Sequence, residues 1–308
     1  MIGSFIPHVQ WFEVDVYVMG SQRSNGNQDE PSFYNLEDVI NSDMDTVLDS
    51  TDKEQRSTTP TPKFERKIAI VRHAETMNDA FPNWYSSCVS QDNYDAKNLN
   101  HPIKLPLRSK GLSAYNVDPP LTRLSRYASR IVGEALARET DIVWETVISA
   151  PELASVQTAS AIASSTKDDK THVMIDESLC DLNYRKEMDF ITPTELMKLD
   201  VLATVAAPLK CKEGAGSLTR LLNAMDAVQK THKGNLIIVV GASVFNVIVR
   251  QFLGGDHKAW KASDIPQLTC VIVERGLRSW KLYKKQVLPI TNSGTVPLIF
   301  DPLKYLSK

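Results

Sequence analysis

An arginine and a histidine stand side by side at Arg72-His73, followed by Ala74, Glu75 and Thr76. An imidazole is nucleophilic at neutral pH, and a neighbouring guanidinium can clamp the oxygens of a phosphoryl group bidentately. Such a pair can begin phosphoryl transfer through a phosphohistidine. It can equally be a histidine satisfied at a strand end, because short motifs recur by chance. The preceding residues favour a site. Ile68 to Val71 is an apolar run of strand type that stops at the charged pair. A buried parallel strand of this kind delivers polar side chains to the carboxyl edge of a sheet, where open α/β folds bind their ligands.

Other ordered segments sharpen this reading. Val71-Arg72-His73-Ala74-Glu75-Thr76 resembles the Arg-His-Gly-Glu-Thr signature of the histidine phosphatase superfamily, the phosphoglycerate-mutase-like fold. Trp84 to Cys88, Asn98 to Pro102, Leu105 to Ser109, Pro120 to Thr122 and Val132 to Leu136 resemble the suppressor-of-T-cell-receptor-signalling phosphatases, which carry ubiquitin-associated and Src-homology-3 domains. The similarity runs, with gaps, over residues 63 to about 290.

The resemblance implies a pocket of two arginines and two histidines, and the chain departs from it twice. The family reads Ser-Pro-x-x-Arg-x-x-x-Thr at a strand-helix junction; here Ala150-Pro151-Glu152-Leu153-Ala154 places a methyl group where the arginine belongs. A second histidine follows a central strand in the family, but Val240-Gly241-Ala242-Ser243 has glycine there. Asp181 is the nearest match to the glutamate that protonates the leaving oxygen, and it reads equally as a solvated loop acid. Ser125 and Ala128 replace a glycine and a glutamine usual in the family.

The elements that must position these residues are legible in the pattern. Leu124, Ala128, Ile131, Val132, Ala135 and Leu136 recur at helical spacing. Thr146 to Ser149 reads as a strand, and Pro151 sits where an N1 proline belongs, opening a helix through Ile162. His172 to Ile175 is another strand; Thr192-Pro193-Thr194-Glu195 is a helix start with Thr192 as cap and Glu195 at N3. Ser217 opens a helix that Gly234 is expected to end. Leu236 to Val240 is apolar throughout and reads as a central strand, with a helix beginning near Val244. Two β runs, Leu268 to Glu274 and Ser279 to Tyr283, form a hairpin through Arg275-Gly276. Residues 77 to 119 read as a long loop-rich insertion forming a wall of the substrate pocket. The alternation predicts a three-layer α/β/α domain over residues 63–308 with a mainly parallel central sheet.

Residues 1–19 contain a β-like stretch, Phe12 to Val18, and the preceding Gly3-Ser4-Phe5-Ile6-Pro7 resembles the end of a Src-homology-3 domain, though nineteen residues are too few to build one. Residues 20–62 are polar and read as a disordered linker. Tyr34-Asn35-Leu36-Glu37 and Thr58-Thr59-Pro60-Thr61-Pro62 are candidate docking or modification motifs within it, against the simpler reading of a solvated tether.

Across 308 residues the formal net charge is -2, which supplies no basic field for nucleic acid. Cys88, Cys180, Cys211 and Cys270 form no Cys-x-x-Cys pair, so free thiols in a reducing compartment are expected, with no metal and no cofactor. The start lacks a signal-peptide pattern and no apolar run is long enough to span a bilayer, so a cytoplasmic protein without membrane attachment is expected.

Phosphoryl transfer depends on charges aimed at the equatorial oxygens, and losing one preorganised donor costs on the order of 10²- to 10³-fold in rate. With Arg72 and His73 kept and two donors replaced, the sequence predicts an impaired or inactive phosphatase-like protein that binds a phosphorylated ligand or protein partner in signalling. Arg72 and the backbone of Gly241, Ala242 and Ser243 would hold the phosphate. The alternative is an active phosphomonoesterase or protein phosphatase acting through His73, with Arg108, Arg123 or Arg126 replacing the lost arginine and Ser243 or His101 assisting. A scaffold whose pocket is irrelevant is a third reading. The resemblance also implies a homodimer.

Overall fold

The computed structural model describes residues 66–290 apart from 92, 167–172, 183–189, 200–202, 206–216 and 255–260. The β-like start and polar linker expected over residues 1–62 lie outside these residues, as does Cys211.

A seven-stranded mixed sheet forms the centre. Its strands are β1 (Lys67–Arg72), β4 (Thr146–Ser149), β5 (Val173–Ile175), β6 (Ala203–Val205), β7 (Leu236–Val240), β8 (Cys270–Arg275) and β9 (Trp280–Leu282), in the order β6-β5-β4-β7-β1-β8-β9. The first five in that order are parallel; β8 and β9 add the expected antiparallel hairpin. β7 lies between β1 and β4 with all five residues buried, as its unbroken apolar run requires.

Strand alternation divides the core into two layers. Ile68, Ile70, Leu236, Ile238 and Val240 face α7 (Ser217–Thr231) and α8 (Ala242–Leu253). Ala69, Val71, Ile237 and Val239 face α4 (Arg123–Arg138) and α5 (Leu153–Ala163). A Cβ on Gly133 would come within 2.6 Å of the Ile162 carbonyl oxygen, so glycine lets α4 approach α5 closely. α7 ends at Thr231, three residues before Gly234, and Arg66 donates to the carbonyls of Gln229 in its last turn (2.8 Å) and of Gly234 beyond it (3.1 Å).

The insertion after β1 is more ordered than its sequence suggested. It holds α1 (Met77–Ala80), α2 (Trp84–Cys88), a two-residue hairpin of β2 (Val89–Ser90) and β3 (Asn93–Tyr94), and α3 (Ala114–Val117). Met77, Trp84, Leu105, Leu112 and Tyr115 pack with Leu153 and Val156 of α5 and Leu196 of α6 (Pro193–Met197). The buried Arg108 donates to Asp118 at 3.0 Å, while the other carboxylate oxygen accepts from Leu153 N at 2.8 Å, tying the insertion to the start of α5. Elements of two to five residues carry too few turns for a periodicity to show.

Candidate functional site

The register of the sheet assembles the site. Arg72 pairs with Val240 and Ser149 with both Val239 and Ile175, so β1, β4, β5 and β7 end at one level. His73 N donates to Val240 O at 3.0 Å, which sets the motif beside the start of α8. Ala74 N donates to Thr158 Oγ1 on α5 at 3.0 Å. Thr76 caps α1 reciprocally with Asp79, its hydroxyl accepting from Asp79 N and its own N–H donating to the Asp79 carboxylate at 2.8 Å. The Glu-Thr part of the signature thus includes a helix start that fixes the chain leaving the site.

His73 Nδ1 lies 2.8 Å from the Ala74 carbonyl oxygen. A carbonyl can accept but not donate, so in the neutral ring Nδ1 carries the proton and Nε2 keeps its lone pair. Burial, and secondarily the Arg72 guanidinium, pulls the imidazole pKa below its ordinary 6.5. The ring is therefore neutral at pH 7 and has the tautomer a nucleophile at Nε2 requires. Arg72 is held by a hydrogen bond from its guanidinium to the Ile265 carbonyl, and its main chain donates to Thr269 O at 2.9 Å.

Gly241 is the N-cap of α8, without a side-chain cap, so the first-turn N–H groups of that helix open toward the site. Asp181 lies beside that helix start. Its Oδ2 accepts from Ser243 Oγ at 2.7 Å, and a Cβ on Gly241 would lie 3.1 Å from the same oxygen. The carboxylate thus stands against the anion-binding end of the helix.

Ala154 is 4% exposed and packs in the apolar layer with Ala74 and Leu121, contributing no polar group. Two positions before it, Glu152 contributes a second carboxyl that sequence reasoning missed. Its Oε1 accepts from Asp181 N at 2.6 Å, and its buried Oε2 has no hydrogen-bond partner among the described residues. Burial pushes its pKa up to about 7, partly offset by the Asp181 N–H. Arg220 on α7 was also missed; it donates to the Cys180 carbonyl at 2.8 Å and fixes the turn that carries Asp181. An acid beside a proline at a strand-helix junction was visible as Glu152, but no pattern announced Arg220.

The residues proposed to replace the lost arginine are engaged elsewhere. Arg108 is 4% exposed in its bond to Asp118, and Arg123 Nη1 donates to Leu99 O at 2.9 Å. Arg126 lines a separate cleft with Arg123. His101 is buried against Phe81, with Nδ1 3.4 Å from Cys88 Sγ. Of the proposed helpers, Ser243 is in the site. Cys88, Cys180 and Cys270 are free and buried, and no group of three His, Cys, Asp or Glu residues able to hold a metal occurs among the described residues. No helix among them is long and apolar enough to cross a membrane.

A neutral histidine thus stands at the carboxyl end of a parallel strand, beside an arginine and near the start of a helix, where open α/β folds bind their ligands. The profile of the histidine phosphatase superfamily (branch 1) matches residues 106–286, more than half of the chain, and the chain belongs to that superfamily. The match begins after Arg72-His73. Among similar proteins, the ecdysteroid-phosphate phosphatase of Bombyx mori is 28% identical over 247 residues, covering 72% of this chain and 37% of the relative. The ubiquitin-associated and SH3 domain-containing protein A of Homo sapiens is 33% identical over 140 residues, covering 44% of this chain and 21% of the relative. The chain thus spans little more than a third of the relatives' length at most among these. The crystal structure of the Bombyx ecdysone phosphate phosphatase with tungstate superposes with a TM-score of 0.62 at 23% identity, covering 77% of this chain and 98% of that one, and shares its fold.

Proposed function

We propose that this protein is a catalytically impaired histidine phosphatase that binds a phosphorylated ligand or partner in signalling. The observation that carries the reading is the Asp181 carboxylate held by Ser243 against Gly241, at the end of α8 where a second phosphoryl-binding histidine is expected. A carboxylate there places an internal anion beside the helix start and competes with an incoming phosphate. Ala154 adds no donor, and Glu152 adds a second carboxyl beside Asp181. The negative charge of a transferring phosphoryl group would be countered by Arg72 and the first turn of α8, with fewer donors than phosphoryl transfer requires.

A specific observation favours a second reading, residual phosphatase activity through His73. The Nδ1 contact with Ala74 O leaves Nε2 available for a phosphoryl group. Asp181 would then protonate the leaving oxygen, as the family resemblance suggests.

Binding is tested by titrating inorganic phosphate into the full chain and into Arg72→Ala, following phosphorus-31 line broadening. Broadening lost in the variant supports an Arg72-dependent phosphate site. Equal behaviour of the two proteins overturns the phosphate-binding reading in favour of a scaffold.

A further inference from the structure

Helix α4 carries large apolar side chains on two faces. Ala128, Val132 and Leu136 are buried in the layer over the sheet, where Ser125, Ser129 and Gly133 are buried with them. Leu124, Tyr127 and Ile131 point the other way, each more than half exposed. A surface helix that serves its own core needs only the first face.

Single exposed apolar residues are ordinary, but these three are not scattered. Spaced three and four apart, they form one stripe along α4. The loop before the helix extends it. Arg123 Nη1 donates to Leu99 O at 2.9 Å and Leu124 N to Asn100 Oδ1 at 2.8 Å, which seats that loop beside the helix start with Leu99 88% exposed. Ile103, 77% exposed, lines a cleft together with Tyr127. A contiguous apolar surface on a folded domain marks an interaction site.

The charges beside the stripe select the partner. Arg123 and Glu134 are eleven residues apart, three helical turns, so they flank the stripe on the same side at opposite ends. Glu134 is exposed and makes no ion pair among the described residues. Two copies of α4 packed antiparallel about a twofold axis between Tyr127 and Ile131 set each Tyr127 against the other copy's Ile131. The same rotation brings Glu134 of one copy level with Leu124 of the other, next to Arg123, and keeps like flanks together. A twofold interface makes every such pair twice, and antiparallel helix dipoles attract. We propose that this face of α4 binds a second copy of the chain, with Tyr127 and Ile131 at the buried centre and Arg123 with Glu134 at the rim. A like-charge contact remains, because Arg130 meets its own copy near the axis.

The proposal does not depend on the Arg72-His73 site, none of whose residues lies on α4. Sedimentation velocity of the full chain from about 1 to about 100 µM measures the association. The result expected is a monomer-dimer equilibrium within that range. Ile131→Glu and Glu134→Arg should each weaken it at least about tenfold, through the apolar centre and the rim pair respectively. Adding Arg123→Glu to Glu134→Arg exchanges the charges and should restore most of the loss, while Arg130→Gln should tighten the dimer. Each changed side chain is exposed or half-buried, and an unchanged circular dichroism spectrum verifies the fold. A chain monomeric throughout, a dimer indifferent to Ile131→Glu, a double variant no tighter than Glu134→Arg, or a dimer weakened by Arg130→Gln would each overturn the proposal.

Discussion

Glu152 and His73 are neighbours in function with opposite proton linkage. The Glu152 carboxyl is raised from 4.5 to about 7 in the fold, so its contribution to stability is full below about pH 4.5 and is lost as pH rises through about 7. We expect Glu152→Gln to gain on the wild type by up to about 3 kcal/mol between about pH 4 and about pH 8, read from urea unfolding at the two values. An unchanged difference would show that the carboxyl is not buried as described. His73 is lowered, so its contribution is present above about pH 6.5 and is lost as pH falls. The Asp181 carboxylate acts to raise the His73 pKa, so Asp181→Asn should lower it further. Imidazole resonances followed through a pH titration report this directly, and an upward shift would contradict the placement of Asp181.

At the scale of elements, the junctions around the sheet matter more than the strands themselves. Asp118 couples the insertion to α5 through Arg108 and Leu153 N. Asp118→Ala leaves a buried guanidinium and an uncapped N–H, and should destabilise the protein by about 3–5 kcal/mol in denaturant unfolding. A loss within about 0.5 kcal/mol would mean that water replaces the carboxylate. At the opposite junction, the Ser243 hydroxyl donates to Asp181 and ties the turn that carries it to the start of α8.

Sequence pattern anticipated the elements whose periodicity is long enough to read. α4, α5 and β7 form where the pattern put them, and the capping box at Thr192 and Glu195 is present. But α4 buries Ser125, Ser129 and Gly133 and exposes Leu124 and Ile131 of its expected apolar face, and α5 begins at Leu153 with Glu152 as N-cap, so that Pro151 precedes the cap and is not at N1. The insertion was hidden because its packing joins residues far apart, such as Trp84 and Leu196, through elements too short for a period. Arg72, His73, Asp181 and Gly241 entered the candidate site because each occupies, or comes nearest to, a motif position. Glu152 and Arg220 were not legible, since their roles arise from contacts across 29 and 40 residues of chain, with Asp181 N and Cys180 O.

For the whole molecule, the superfamily fold brings the Asp181 and Glu152 carboxyls beside Gly241 and Ala154, and on the proposed reading the site lacks two donors. Restoring the two lost donors together, as Ala154→Arg with Gly241→His, should raise turnover of para-nitrophenyl phosphate by on the order of 10²-fold or more over the wild type. Either change alone should do much less, because donors in one pocket act as a unit. The imidazole introduced at 241 must also displace the Asp181 carboxylate by a few tenths of an ångström, since a Cβ there lies 3.1 Å from Oδ2.

The most direct measurement is para-nitrophenyl phosphate hydrolysis by the wild-type chain beside His73→Ala, from acid to neutral pH. The account predicts equal rates at background, the nucleophile being present without the donors that would make it effective. Turnover in the wild type that disappears in His73→Ala would contradict it and establish a working enzyme.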